Sequence, residues 1–112
     1  MAEEQFRVVF TERAGADLED IVGYWSDRND PERGVQYAHD LPHEAVRTLS
    51  RPSEARSGGY LLRSDYPEVE ELSVFKRSYR ILYLVKESEV EVEVLRFWPS
   101  RRDEPFQGRQ RR

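Results

Sequence analysis

A regular alternation of apolar and polar residues near the end of the chain limits its fold more than any other feature. Residues 79–98 read YRILYLVKESEVEVEVLRFW, which is two runs of β-branched and aromatic residues joined by a short polar connection. Side chains along a β-strand point alternately to the two faces of a sheet. The stretch therefore predicts a β-hairpin with one apolar face and one mixed face.

The same alternation predicts how the two strands pair. The facing residues are expected to be Val85 with Val90, Tyr83 with Val92, Ile81 with Val94, and Tyr79 with Arg96. A slip by one residue would turn one strand over and mix the two faces, so the register is strongly specified. In this register Arg80 lies on the face opposite to Arg96, together with Leu82 and Leu84.

The mixed face carries more apolar surface than a solvated sheet needs. Leu82 and Leu84 lie on it, and the preceding strand is expected to add Phe75. An exposed apolar patch of this kind is normally covered. Two explanations are open: the patch is covered by residues 50–66 or by a second copy of the chain, or it is a groove for a partner protein.

The first half of the chain predicts one strand followed by two helices. QFRVVF at 5–10 is typical of a strand, and Thr11 is a suitable N-cap for the helix that follows. Asp30 and Pro31 are expected to begin a second helix. Pro42 lies inside that helix, where proline removes a hydrogen bond at about 3 kcal/mol, so a kink or a break is expected. The apolar positions with helical spacing are Ala14, Leu18, Ile21, Val22 and Trp25, then Tyr37, Leu41, Ala45 and Leu49.

The remaining segments complete an α+β fold. Residues 50–60 predict a loop, and further strands are expected at 60–63, 69–75, 79–86 and 89–98. The predicted order is β-α-α-β-β-β, with one additional short strand, and a helical hairpin packs on one face of a mainly antiparallel twisted sheet. Residues 1–98 are expected to form a single domain, and residues 99–112 a flexible basic tail.

Charge and composition exclude several classes of function. The net charge is −4, but residues 99–112 hold five arginines and two acids, which leaves 13 basic against 20 acidic residues in the body. An acidic body is a poor general binder of phosphates. The chain has no cysteine for a disulfide or a thiolate metal site, and no run approaches the length of a membrane span. A cytoplasmic protein that makes no membrane contact is expected.

The two histidines are the remaining candidates for metal binding. His39 and His43 are four residues apart and would share one face of a helix. Pro42 is expected to disrupt that spacing, however, and no third ligand is apparent. The prediction is a pair of exposed helix histidines, with no metal and no cofactor.

Three segments together resemble the RelE/ParE superfamily of type II toxin–antitoxin toxins. They are FRVVFTERAGADLEDIVGYW at 6–25, DPERGVQYAHDL at 30–41 and SYRILYLVKESEVEVEVLRFWPSRRD at 78–103. The resemblance implies a bacterial plasmid-stabilisation toxin held inactive by a cognate antitoxin, as a hetero-oligomer or with a toxin homodimer. One branch of the superfamily cuts mRNA on the ribosome, and the ParE-like branch poisons DNA gyrase.

The chemistry of the arginines favours the ParE-like branch. Cutting RNA requires converging positive charge at the phosphate and two proton transfers. The residues that match the ribonuclease branch are Arg80 with Arg96 or Arg101, but arginine is a poor proton carrier. ParE-like sequences often have a histidine at the position of Pro99, so any role of that histidine is absent here. The acidic body, the scarcity of lysine and the placement of Arg80 and Arg96 on opposite faces count against the ribonuclease branch. We therefore expect a gyrase-binding toxin rather than an enzyme, while a ribosome-dependent mRNA endoribonuclease and a non-toxic member that keeps only antitoxin binding stay open.

The partner-binding surface is expected around the mixed face of the hairpin and the start of the tail. The residues predicted to contact partners are Phe75, Arg80, Leu82, Leu84, Trp98, Arg101 and Arg102.

Overall fold

The helices and strands of the computed structural model follow the predicted order with one additional short helix, and the structure describes residues 4–60 and 68–100. The elements in chain order are β1 (Arg7–Phe10), α1 (Glu12–Ser26), α2 (Pro31–Leu49), α3 (Pro52–Arg56), β2 (Gly59–Tyr60), β3 (Glu70–Val74), β4 (Tyr79–Lys86) and β5 (Glu91–Pro99). None of the helices in these two ranges has the length and apolar content of a membrane span.

The sheet brings the first and last strands together. Its strand order is β1-β5-β4-β3-β2, in which β1 runs parallel to β5 and all other neighbours are antiparallel. The helices pack on one face, where Leu41 and Ile21 share a fully buried core with Ile81 and Val92. The predicted helical hairpin on one face of a mainly antiparallel sheet is confirmed.

Thr11 joins the start of α1 to the sheet. Its hydroxyl oxygen accepts the N–H of Ala14 at 3.0 Å and donates to the carbonyl of Leu95 at 3.0 Å. The predicted N-cap is therefore confirmed, and it also satisfies a backbone carbonyl of β5 beyond the point where β1 ends. The arrangement holds α1 beside the free edge of the last strand.

Helix α2 passes through Pro42 without a break, so the predicted break is wrong. Leu41, Ala45 and Leu49 are all fully buried against the core. Burying one leucine side chain contributes about 1.5–3 kcal/mol, so these residues together outweigh the cost of one interior proline. On the same turn, the ring Nδ1 of His43 lies 3.0 Å from the carbonyl of His39.

The predicted loop at 50–60 contains the short helix α3. Pro52 occupies its first turn, where a backbone N–H has no hydrogen-bond acceptor within the helix, so its absence costs nothing. Ala55 is fully buried. Arg56 binds Glu87 through two hydrogen bonds of 2.8 and 3.0 Å. The helix forms because this tertiary burial and pairing stabilise a segment that is too short to be helical alone.

The hairpin register differs from the prediction by two residues near the turn. Val85 faces Val92 and Tyr83 faces Val94, because the connection spans four residues rather than two. Residues Glu87–Glu89 form a 3₁₀ turn and Val90 takes a left-handed conformation with φ of 53°. A shift of two residues leaves the side chains of this half of the hairpin on their predicted faces, so the predicted core face is confirmed for Tyr83, Val92 and Val94.

A β-bulge changes the pairing in the second half of the hairpin. Tyr83 pairs with Val94 but Leu82 pairs with Arg96, which leaves Leu95 as an extra residue in β5. Beyond the bulge, Ile81 faces Phe97 and Tyr79 faces Pro99, so the predicted pair of Tyr79 and Arg96 is wrong. An inserted residue reverses the alternation of side chains in the rest of the strand. Arg96 therefore lies on the same face of the sheet as Arg80.

The free energy of unfolding is expected to fall at alkaline pH because of Tyr83. Its buried hydroxyl donates to the carbonyl of Ala55 at 2.8 Å, and burial, followed by the nearby charge of Glu70, raises the pKa of Tyr83. The stabilising contribution is complete below the unfolded value of about 10 and is lost as the pH rises above it, because only the unfolded chain ionises readily there. Urea unfolding at a series of pH values should show this loss.

The matched variants for this prediction are Tyr83→Phe and Tyr24→Phe. We expect Tyr83→Phe to be less stable at neutral pH but to lose less stability than the wild type above about pH 10. Half-exposed Tyr24 is the control for removing a tyrosine hydroxyl outside the core, and its variant should unfold at neutral pH closer to the wild-type midpoint than Tyr83→Phe does. An unchanged alkaline slope in Tyr83→Phe would contradict the assignment.

Candidate functional site: the outer face of the sheet

The outer face is the side of the sheet away from the helices. Its apolar centre is a second cluster in which Val69 and Leu82 are buried, while Leu84 and Leu95 are half-buried. Leu82 has no exposed surface, so its burial is complete without a partner protein. This favours intrachain covering for Leu82. The predicted covering residues 61–66 lie outside the described residues.

The charged groups around this apolar centre are paired within the chain. Arg80 Nη1 lies 3.3 Å from Glu71 Oε1, and Lys86 Nζ lies 3.1 Å from Glu93 Oε1. The hydrogen bond to Glu93 raises the pKa of Lys86, so its ammonium stays protonated at neutral pH. A permanently protonated lysine is no general base, and this part of the outer face has balanced charge.

Arg96 and Asp17 form the most buried ion pair of the described residues. Arg96 Nε and Nη2 lie 2.8 and 3.0 Å from the two carboxylate oxygens, and the side chains are only 13% and 5% exposed. Asp17 Oδ2 also accepts the backbone N–H of Phe97 at 3.0 Å. A planar guanidinium matches a carboxylate in this two-bonded geometry, which is stronger than a single contact.

This pair lies at the free edge of β5. Strand β1 ends at Phe10, which faces Val94, so the outward backbone groups of residues 95–99 have no strand beside them among the described residues. Asp17 satisfies the N–H of Phe97, Thr11 satisfies the carbonyl of Leu95, and Pro99 has no N–H. Unpaired strand edges invite association with other chains, and these three residues protect this edge from it.

The bulge brings three predicted site residues onto the same face. Arg80 faces Trp98 across the hairpin, and Arg96 stands two residues before Trp98 on β5. The guanidinium carbon of Arg96 lies 4.7 Å from the Trp98 ring centroid, a favourable cation–π distance. The prediction that Arg80 and Arg96 project from opposite faces is therefore wrong. The predicted residues Arg101 and Arg102 lie outside the described residues.

Phe75 does not lie on the outer face, so its predicted placement is wrong. Phe75, Lys76 and Arg77 have φ values of 55°, 56° and 69°, which is a turn of left-handed backbone between β3 and β4. This turn redirects the Phe75 ring to the helix side, where its centroid lies 5.8 Å from that of Tyr37. Left-handed backbone is strained for residues other than glycine, and here the packed aromatic ring stabilises it.

Asp17 was missed by sequence reasoning, although the chain carried a signal for it. It lies three residues after Ala14 and four before Ile21, within the stripe that α1 buries. A charged side chain at a buried position requires a partner of opposite charge. The spacing alone therefore predicts an ion pair, but it does not identify the arginine that pairs with Asp17.

The sequence of this chain matches a known protein family. A profile of the ParE toxin of the type II toxin–antitoxin system parDE matches residues 8–104. A search of curated proteins found no significant match.

Three solved structures illustrate the similarity in fold. The chromosomal ParDE toxin–antitoxin system from P. aeruginosa contains a chain with a TM-score of 0.69 and 21% identity, covering 87% of this chain and 98% of that one. The RelBE2 complex from Mycobacterium tuberculosis gives 0.64 at 23% identity, covering 88% and 94%. The isolated E. coli RelE toxin gives 0.57 at 21% identity, covering 94% and 95%.

These likenesses agree with the sequence profile, which spans most of the chain and includes β1, both long helices and the terminal hairpin. The chain belongs to the ParE toxin family of type II toxin–antitoxin systems.

Proposed function

We propose that this protein is a ParE-like toxin that inhibits DNA gyrase by binding it and is neutralised by a cognate antitoxin. The observation that carries the proposal is the state of Arg80 and Arg96, the two described arginines that match the ribonuclease branch. Arg96 is held by both oxygens of the buried Asp17 carboxylate, and Arg80 is paired with Glu71. A substrate phosphate would have to displace the Asp17 carboxylate from Arg96 and would meet the nearby Glu71 carboxylate at Arg80, which opposes phosphate binding.

The surface chemistry of the outer face supports a protein partner. Trp98, Leu84 and Leu95 are half-buried, and the ionic groups between them are neutralised in pairs. Protein interfaces are enriched in aromatic residues and depleted of unpaired charge at their centres, whereas nucleic-acid interfaces are strongly basic. Trp98 is the residue we assign as the centre of the binding surface.

Trp98→Ala is expected to weaken gyrase inhibition at least tenfold, because a central interface tryptophan contributes about 2 kcal/mol or more. The test is supercoiling by purified gyrase at increasing toxin concentration, with circular dichroism to confirm the fold of each variant. Val35→Ala is the matched control, since Val35 is 58% exposed on α2, on the other side of the sheet. Equal inhibition by Trp98→Ala and wild type would show that Trp98 does not contribute to the interface.

A second function, ribosome-dependent cleavage of mRNA, is favoured by one observation. The bulge at Leu95 places Arg80 and Arg96 on one face, on either side of Trp98, where two cations could flank a bound nucleotide. Cleavage of ribosome-bound mRNA that Arg80→Ala abolishes would overturn the gyrase proposal. Inactivity in both assays, with normal growth on expression, would leave antitoxin binding as the remaining function.

A further inference from the structure

The outward face of α2 holds a pair of stacked histidines. The rings of His39 and His43 have centroids 4.5 Å apart and an angle of 27° between their planes, and both residues are exposed. Helix α2 continues through Pro42 and the two rings stack, so the expectation that this proline disrupts the spacing of the pair is wrong. The two imidazoles are neighbours on one helix face.

Hydrogen bonds set the same tautomer in both rings. His43 Nδ1 lies 3.0 Å from the carbonyl of His39, and a carbonyl can only accept, so Nδ1 carries the hydrogen. His39 Nδ1 lies 3.1 Å from Asp40 Oδ1. A carboxylate oxygen at this distance from the ring nitrogen accepts the hydrogen bond, so Nδ1 of His39 also carries the hydrogen. In their neutral forms, both rings leave Nε2 with an open lone pair.

We propose that His39 and His43 form an open two-imidazole site for a late first-row transition-metal ion such as Zn²⁺, Ni²⁺ or Cu²⁺. Metal-binding histidines characteristically donate the other ring N–H to a carboxylate or a backbone carbonyl, and here one ring does each. Two nitrogens about 2.0–2.1 Å from one ion lie at most about 4 Å apart. The ring centroids are already 4.5 Å apart, and the exposed rings can turn from this stacked arrangement until both Nε2 lone pairs point at one ion.

The surrounding groups set the character of the site. The described residues contain no cluster of three metal-ligating side chains, so water completes the coordination and the ion exchanges readily. The nearby carboxylates are Asp40 and Glu44, and Arg47 is neutralised by Glu44. Imidazole ligands and this acidic environment suit the late transition metals, with Cu²⁺ expected to bind most tightly.

The sequence makes this site unusually easy to observe. The chain has only two histidines and no cysteine, so every imidazole signal belongs to the pair. Long-range ¹H–¹⁵N spectra of the full chain at mildly alkaline pH should show the Nδ1–H tautomer for both rings. Zn²⁺ should then shift both Nε2 resonances together and saturate at one ion per chain. An Nε2–H tautomer, or shifts in neither ring, would overturn the proposal.

Three variants separate imidazole binding from general attraction to an acidic surface. His39→Gln and His43→Gln should each lower the affinity for Zn²⁺ and Ni²⁺ at least tenfold in calorimetric titrations, with unchanged circular dichroism. Glu32→Gln is the control, because it removes an exposed charge from the same helix without touching the rings. Equal loss in all three variants would assign the ion to the carboxylates and defeat the proposal. Neither result depends on which target the toxin inhibits.

Discussion

Asp17→Ala should lower the free energy of unfolding by about 3–5 kcal/mol, because it leaves a mostly buried Arg96 without its counter-ion. The same change leaves the Phe97 N–H at the edge of β5 without its acceptor. Both losses fall on the interface between α1 and the last strand, so we expect one cooperative transition at a lower urea concentration. Chemical unfolding followed by circular dichroism measures the change directly.

Companion variants divide this effect between charge and hydrogen bonding. Asp17→Asn keeps an acceptor for Phe97 but removes the charge, so its loss should be smaller than that of alanine. Asp20→Asn, one turn along α1 at an exposed position, should stay within about 0.5 kcal/mol of wild type. Replacing the pair together, as D17L with R96M, should restore much of the stability. A wild-type midpoint for Asp17→Ala would refute the buried pair.

Gly58→Ala should destabilise the fold by about 1–3 kcal/mol through overpacking. A Cβ at this position would stand 2.0 Å from the hydroxyl of Tyr83 and 3.0 Å from Glu70 Oε1. Tyr83 is fully buried and its hydroxyl is bound to Ala55, so it cannot move aside freely. The backbone of Gly58 is not left-handed, and the expected loss is therefore steric. Urea unfolding of the variant gives the measurement.

Two further variants test that explanation. Gly15→Ala changes a glycine of α1 that has no atom within 4 Å of its would-be Cβ, so it should raise stability by about 0.5–1 kcal/mol. Introducing Gly58→Ala into Tyr83→Phe removes the clashing oxygen, and the additional loss should shrink. An undiminished loss in that background would point to a cause other than the hydroxyl.

The fold was predictable where hydrophobic periodicity was unbroken. The bounds of β4 agree with the prediction at both ends, because its alternation runs without interruption from Tyr79 to Lys86. The bulge was not predicted, yet a trace of it is visible: the buried positions of β5 move from even numbers, Val92 and Val94, to an odd number, Phe97. The alternation of apolar and polar residues shows such a shift from even to odd positions only if each half of a strand is considered separately.

The candidate site was less predictable because its decisive contacts connect distant segments. Asp17 and Arg96 are 79 positions apart and meet at the edge of a strand, whereas alternation only distinguishes the faces of a sheet. At Pro42 the tertiary burial of Leu41 and Ala45 overrides the strong tendency of proline to break a helix. The stacking of His39 and His43 also depends on α2 continuing through Pro42.

The parallel pairing of β1 with β5 also determines when the protein can fold. Arg7 pairs with Glu91, 84 positions later, so β1 leaves the ribosome well before the strand with which it pairs. At typical rates of protein synthesis this delay is on the order of 10 s. During that time the core face of β1 has no neighbouring strand among the described elements, and Asp17 lacks its arginine. The complete fold therefore forms only after β5 has been synthesised, and a chain that stops before residue 91 cannot acquire it.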